Sequence, residues 1–243
     1  MNLGTQMTFR RYELKYMLTR SQRDALIRAM QGHMALDPFG RSTIRSVYLD
    51  TDDYRLIRRS IEKPVYKEKL RVRSYQKAGA DDTVFVELKK KLEKVVYKRR
   101  LALPHRAAMD ALESGAPLPA QGQIAREIAR FRAFYGETLR PAMLLSYERE
   151  AYFPTDGADF RLTLDENILW RTKLIDLGAD AFGQPLLGPD EVLMELKTPG
   201  GIPLWMVRFL SENAIRRRSY SKYGNAYLEL MRQNTNGGIL HAC

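Results

Sequence analysis

The chain has 243 residues, 44% of them hydrophobic, which suffices for a substantial core and excludes wholesale disorder. Its single cysteine, Cys243, excludes an internal disulfide and favours a reducing compartment. A net charge of +11 favours an anionic partner: nucleic acid, a membrane surface or a phosphorylated small molecule.

Residues 1–11 carry no apolar signal segment, and no apolar run reaches the length of a membrane span. The expected location is cytoplasmic, with the inner face of a membrane, reached through a membrane-protein partner, left open. From Thr8 to Leu18 charged and apolar residues alternate, which predicts a strand. Thr19 and Gln22 then have the spacing of a capping box, opening a helix that carries Leu26, Ile27, Met30 and Met34 and fades near Asp37-Pro38. Ile44–Asp50 reads as a strand, Asp52–Ile61 as a short helix or turn, and Tyr66–Gln76 as another strand. Val84–Lys90 and Val95–Leu103 read as the arms of a hairpin. Helices are predicted over Pro104–Glu113 and Gln123–Tyr135, each followed by glycine. Met143–Phe153, Phe160–Asp165 and Val192–Lys197 read as strands, with an irregular Gly/Pro-rich loop over Arg171–Asp190. Pro203–Asn213 and Lys222–Gln233 close the pattern as helices. No boundary divides it, so a single domain is expected over residues 8–233, with a flexible tail over 234–243.

The tripeptide Glu-Leu-Lys recurs at Glu13-Leu14-Lys15, Glu87-Leu88-Lys89 and Glu195-Leu196-Lys197, each inside a predicted strand. Residues i and i+2 of a strand share a face, so each copy sets a carboxylate beside an ammonium, with leucine opposite. The same phase collects Arg11, Lys67, Lys69, Arg71, Arg73, Lys98, Arg100, Arg149 and Arg161, and the acid Asp165. One reading makes this the solvated face of an antiparallel sheet. The other closes the strands into a barrel, apolar residues outward under helices and charges inward. Such a basic lumen makes sense only with an anion inside. Glu13, Glu87, Asp165 and Glu195 would then be ligands for Mg²⁺ or Mn²⁺, or simple ion-pair partners of their neighbours. Asp165 and Glu195 have fewer cations in their own strands and are the favoured ligands. Ser221-Lys222 opens the last helix, whose N–H groups can meet phosphate or be capped by Ser221. His33, His105 and His241 share no metal-ligand spacing, and no P-loop or dinucleotide fingerprint is present. The charged phase has little aromatic interleaving for base stacking, which argues against a specific nucleic acid.

The series Arg11-x-Glu13-x-Lys15, Leu70-Arg71-Val72-Arg73, Val86-Glu87-Leu88-Lys89, Ser146-Tyr147-Glu148-Arg149, Arg161-Leu162-Thr163-Leu164-Asp165, Glu195-Leu196-Lys197 and Ser221-Lys222-Tyr223 resembles, in order, the VTC domains. These are the polyphosphate polymerase domains of the vacuolar transporter chaperone complex and their bacterial relatives. They belong to the triphosphate tunnel metalloenzymes, the CYTH-like superfamily that includes thiamine triphosphatases and class IV adenylate cyclases. The resemblance implies an α+β fold, an antiparallel eight-stranded β-barrel tunnel with helices packed outside. It implies an ATP-dependent phosphotransferase that moves the γ-phosphoryl group of ATP, or another nucleoside triphosphate, onto polyphosphate, with Mn²⁺ or Mg²⁺. Lys15, Arg71, Arg73, Lys89, Arg149, Arg161, Lys197 and Lys222 are implied as phosphate binders and Glu195 as the principal metal ligand. The superfamily opens with Glu-x-Glu-x-Lys, whereas Arg11 stands at the first acid here. That departure aligns the chain with the polymerase branch more than with water-using triphosphatases. Hydrolysis of inorganic or nucleoside triphosphate, and non-catalytic binding of polyphosphate, pyrophosphate, triphosphate or nucleotide, remain the alternatives.

Overall fold

The computed structural model describes residues 12–93, 95–136 and 139–239. Among them the elements run β1 (Tyr12–Thr19), α1 (Arg20–Ala29), β2 (Met34–Asp50), α2 (Arg55–Ile61), β3 (Tyr66–Ser74), β4 (Thr83–Leu92), β5 (Val95–Pro104), α3 (His105–Glu113), α4 (Gln123–Tyr135), β6 (Arg140–Pro154), β7 (Arg161–Arg171), β8 (Gln184–Pro185), β9 (Glu191–Thr198), α5 (Leu204–Glu212) and α6 (Lys222–Ile239). The fold class is α+β, with an antiparallel sheet in the order β1-β9-β7-β6-β2-β3-β4-β5 and β8 on β7. Among the described residues this hydrogen-bonded path is open, running from β1 to β5 without returning to its start.

The residues pack as two units interleaved along the chain. The first takes the described residues up to 42, with 147–167 and 187–219. Here β9 pairs with β1 on one side and β7 on the other, setting Lys15 opposite Glu195, and Lys197 between Glu13 and Arg161. One phase of these strands, Tyr16, Leu18, Leu162, Leu164, Val192, Met194 and Leu196, is buried against Leu26 of α1 and Met206, Phe209 and Leu210 of α5. Burying a Leu of this kind contributes about 1.5–3 kcal/mol relative to leaving it exposed, so this phase fixes which face the charges occupy.

The second unit takes 43–146, 168–186 and the described residues from 220 onward. Val47, Leu49, Leu70, Val72, Val84, Val86, Leu88 and Leu103 of β2–β5 pack under Met109 and Leu112 of α3 and Ile128 and Phe131 of α4. Asp50, fully buried at the end of β2, accepts hydrogen bonds from the backbone N–H groups of Thr51, Leu56 and Ile57 and from the Tyr223 hydroxyl. That ties the start of α2 to the sheet, after Tyr54 has turned the chain in the left-handed region at φ 57°.

The capping box is present: the Thr19 hydroxyl accepts from Gln22 N–H, and the Gln22 side chain accepts from Thr19 N–H. Elsewhere the structure departs from expectation. The first helix stops at Ala29, and Gly32, at φ 79°, turns the chain into β2, so Met34 is the first residue of a strand of 17 residues rather than the last turn of a helix. β7 continues past Asp165 to Arg171. The helix α6 runs on to Ile239, through residues read from sequence as the start of a tail. Arg11 lies outside the described residues.

Candidate functional site

In the first unit the charged phase of β1, β7 and β9 gathers around two cations. Lys15 Nζ lies 3.0 Å from Glu13 Oε1 and 3.3 Å from Glu195 Oε1. Arg149, from β6, holds Asp165 with two hydrogen bonds of 2.6 Å, Nε to Oδ1 and Nη2 to Oδ2, and its Nη2 lies 3.4 Å from Glu195 Oε2. Asp165 has no exposed surface and Glu195 almost none. Burial alone would lower the Arg149 pKa, but Asp165, Tyr147 and Glu195 together overcome it and raise it well above the usual arginine range. Arg149 also lies over the Tyr147 ring at 5.2 Å, and Arg161 over Phe153 at 5.8 Å. The opposite phase of β6 and β7 pairs separately: Glu148, Glu150 and Glu166 meet Arg41, Arg23 and Arg20.

In the second unit the register of β3, β4 and β5 builds rows of cations. Arg71, Glu87 and Arg100 lie side by side; Lys69, Lys89 and Lys98 form the next row; Lys67 and Lys91 the one after. Glu87, 1% exposed, is the sole acid in this phase of the strands and collects cations from both neighbours. Its Oε2 accepts from Arg71 Nε at 2.9 Å, and its Oε1 accepts from Arg100 Nη2 at 2.6 Å and pairs with Lys98 Nζ at 2.7 Å. Burial would raise the Glu87 pKa; Arg71, Arg73 and Lys98 overcome that and hold it far below the usual carboxylate range. The Lys98 ammonium is shifted down by burial despite its partner. Lys67 is shifted down by burial and by Lys91, Lys89 and Lys63. Arg73 donates to Ser46 Oγ at 3.3 Å, and Lys69 meets Ser221 Oγ at 3.3 Å. Ser221 Oγ also accepts from Gly224 N–H, so the hydroxyl caps α6, with Lys222 as the first residue of that helix.

The register therefore joins Glu13, Lys15, Arg149, Asp165 and Glu195 in one network, with Arg161 and Lys197 beside it. It joins Arg71, Glu87, Lys98 and Arg100 in another, with Lys67, Lys69, Arg73, Lys89, Ser221 and Lys222 around it. The carboxylates differ in what they can offer a divalent cation, which needs oxygen lone pairs. Asp165 spends both oxygens on Arg149, and Glu87 spends both on Arg71, Lys98 and Arg100. Glu13 and Glu195 share Lys15 across β1 and β9, Glu195 also meeting Arg149 at 3.4 Å, and theirs is the hard-oxygen donor set that fits Mg²⁺ or Mn²⁺. Among the described residues no group of His, Cys, Asp and Glu is already gathered as a metal cluster.

Tyrosines are what sequence reasoning missed. Tyr48 donates no charge, yet its hydroxyl accepts from Arg71 Nη1 at 3.2 Å, and its ring stacks on Tyr223 at 4.3 Å. Tyr75 accepts from Arg100 Nη2 at 2.7 Å. The signal for Tyr48 was its phase: Ser46, Tyr48 and Asp50 alternate with Val47 and Leu49. His33 stacks on Trp205, and His105 sits against the Gly79 carbonyl, both packing roles.

An antiparallel sheet packed with helices defines an α+β class, and solved structures share the fold. A candidate adenylate cyclase from Bacillus halodurans is 17% identical, matched over 86% of this chain and 92% of its own, with a TM-score of 0.56. A candidate adenylyl cyclase from Hippeastrum, for which a dominant triphosphatase activity is described, is 17% identical over 87% of this chain and 92% of its own, with a TM-score of 0.51. No curated protein matches the sequence. The VTC domain family matches residues 10–231, and the chain belongs to that family. No helix among the described residues is long and apolar enough to cross a membrane.

Proposed function

We propose that this protein binds the phosphates of a nucleoside triphosphate and of a polyphosphate chain, and transfers the γ-phosphoryl group of ATP to the chain end. The observation that carries this reading is the lysine and arginine ladder of β3–β5. Rows in one phase of a strand repeat every ~6.8 Å, so the ladder from Arg73 to Lys67 extends ~20 Å. That is longer than a triphosphate needs, and it carries one carboxylate, already consumed by its own cations.

In the reaction a terminal oxygen of the chain bonds to the γ-phosphorus as the bond to the β-phosphate of ATP breaks, releasing ADP. Such a transfer depends on alignment and on neutralising charge spread over the phosphate oxygens. Arg71 and Arg100, fixed by Glu87, present planar forks suited to paired phosphate oxygens; Lys67, Lys69, Lys89 and Lys98 act as point charges along the chain. Arg73, Ser221 and Lys222 extend the same array. In the first unit Lys15, Arg149, Arg161 and Lys197 are the phosphate-facing cations and Glu13 and Glu195 the metal holders, whereas Asp165 orients Arg149. Bound Mn²⁺ or Mg²⁺ would supply further neutralisation of phosphate oxygens.

A second reading, hydrolysis of a triphosphate by water, is favoured by the triphosphatase activity described for the Hippeastrum neighbour. One incubation separates the readings. With ATP and Mn²⁺, the polymerase gives acid-insoluble polyphosphate and ADP, the triphosphatase gives free phosphate, and a binding module gives neither.

A further inference from the structure

Tyr48 is 8% exposed, and its hydroxyl sits among groups of one kind. Arg71, Lys69 and Arg73 of β3 surround it, with Ser46 and Asp50 on its own strand and Tyr223 of α6 stacked on its ring. Asp50 is occupied by Tyr223 and by backbone N–H groups, and Glu87 by its cations, so neither faces the phenol as an acceptor. Among the described residues the hydrogen-bonding partner of the hydroxyl is Arg71 Nη1, which can only donate. A buried O–H group surrounded by donors has no acceptor for its own proton, an arrangement that costs stability unless something else supplies one. The group that fits is an anionic oxygen.

Resting on the phosphate-binding reading above, we propose that Tyr48 is a positioning residue with a proton-dependent role. As neutral phenol it accepts from Arg71 and donates to a phosphate oxygen of the bound ligand. As phenolate it pairs with Arg71 in the ligand's place. Burial would raise the phenol pKa, but Arg71, Lys69 and Arg73 overcome that and bring it down to about 8. A bound polyanion opposes those cations and stabilises the neutral phenol. Above pH 8, binding therefore takes up a proton at the Tyr48 oxygen, and affinity falls as pH rises. Tyr75 is also shifted down, beside Arg100, so the Tyr48 contribution must be isolated by substitution.

The test is isothermal titration of inorganic tripolyphosphate into the full chain and into Tyr48→Phe, from pH 6.5 to 9.5, in buffers of different ionisation enthalpy. The ligand's own ionisation is common to both proteins. The expected result is that wild-type affinity falls about tenfold more than that of Tyr48→Phe between pH 8 and 9.5, with proton uptake exceeding that of the variant by close to one. A companion titration of phenolate absorbance expects one tyrosine near pH 8 in the wild type, moving to higher pH when tripolyphosphate is added, and absent from Tyr48→Phe. Identical pH profiles and proton uptake in the two proteins, or a phenolate titration that ignores the ligand, overturn the role of Tyr48 and leave the phosphate site standing. Absence of tripolyphosphate binding at every pH overturns both.

Discussion

Replacing Glu87 by Gln probes the arrangement most directly, because one buried carboxylate holds Arg71, Lys98 and Arg100 in place. The amide keeps the volume and removes the charge, leaving three cations clustered where 1% of Glu87 reaches solvent. Breaking a buried ion pair from one side costs about 3–5 kcal/mol, which for a chain of this size is on the order of a 10 °C fall in the thermal midpoint. The sign with pH follows from the depressed pKa. The unfolded carboxyl titrates near its ordinary 4.5 and the folded one well below it. Its contribution is therefore full above pH about 4.5 and is lost as pH falls through the folded value. Thermal melts of Glu87→Gln and wild type from pH 7 to pH 3 check this. The gap should be widest at neutral pH and begin to narrow below pH about 4.5, and saturating tripolyphosphate should narrow it at pH 7 by supplying the missing negative charge. A variant as stable as the wild type at pH 7, or a gap that does not change on acidification, would refute the role of Glu87 as the anchor of the cation row.

Arg71→Lys with Arg73→Lys keeps net charge and removes the forked geometry; turnover should fall on the order of 10²-fold, with a much smaller loss of triphosphate affinity, in paired steady-state and binding assays. Equal and modest losses would favour the binding module. Glu195→Gln should abolish metal-dependent turnover while circular dichroism still shows the native fold, and retained turnover at limiting Mn²⁺ would move the ligand role elsewhere. Thr19→Ala removes both the hydroxyl acceptor and the capping box of α1 and should cost about 1 kcal/mol in denaturant titration without altering ligand affinity.

Local chemistry was legible in the sequence. Strict alternation in Glu13-Leu14-Lys15, Val86-Glu87-Leu88-Lys89 and Glu195-Leu196-Lys197 fixed which side chains share a face, because a strand permits only two faces and the apolar one must be buried. Thr19 and Gln22 marked a helix start because a capping box is made within four residues. The predicted arms Val84–Lys90 and Val95–Leu103 likewise lie within β4 and β5. What failed locally was the stretch from Met34 onward, where helical spacing of Met30 and Met34 competed with a backbone turn at Gly32; pairing in the sheet, not propensity, decided for a strand.

Only the tertiary structure decided what each charge does. Glu87, Asp165 and Glu195 are alike in sequence as carboxylates in charged strands, yet their partners differ. Asp165 is consumed by Arg149 from another strand, Glu87 by cations on both neighbours, and Glu195 meets Lys15 across β1 and β9 as well as Arg149. Those outcomes depend on strand register between residues far apart in the chain, which alternation does not specify. The same holds for Tyr48, an ordinary strand tyrosine until β3 sets Arg71 beside it and α6 lays Tyr223 on its ring. The sequence determined the supply of charge and its face; long-range pairing determined which charges meet one another.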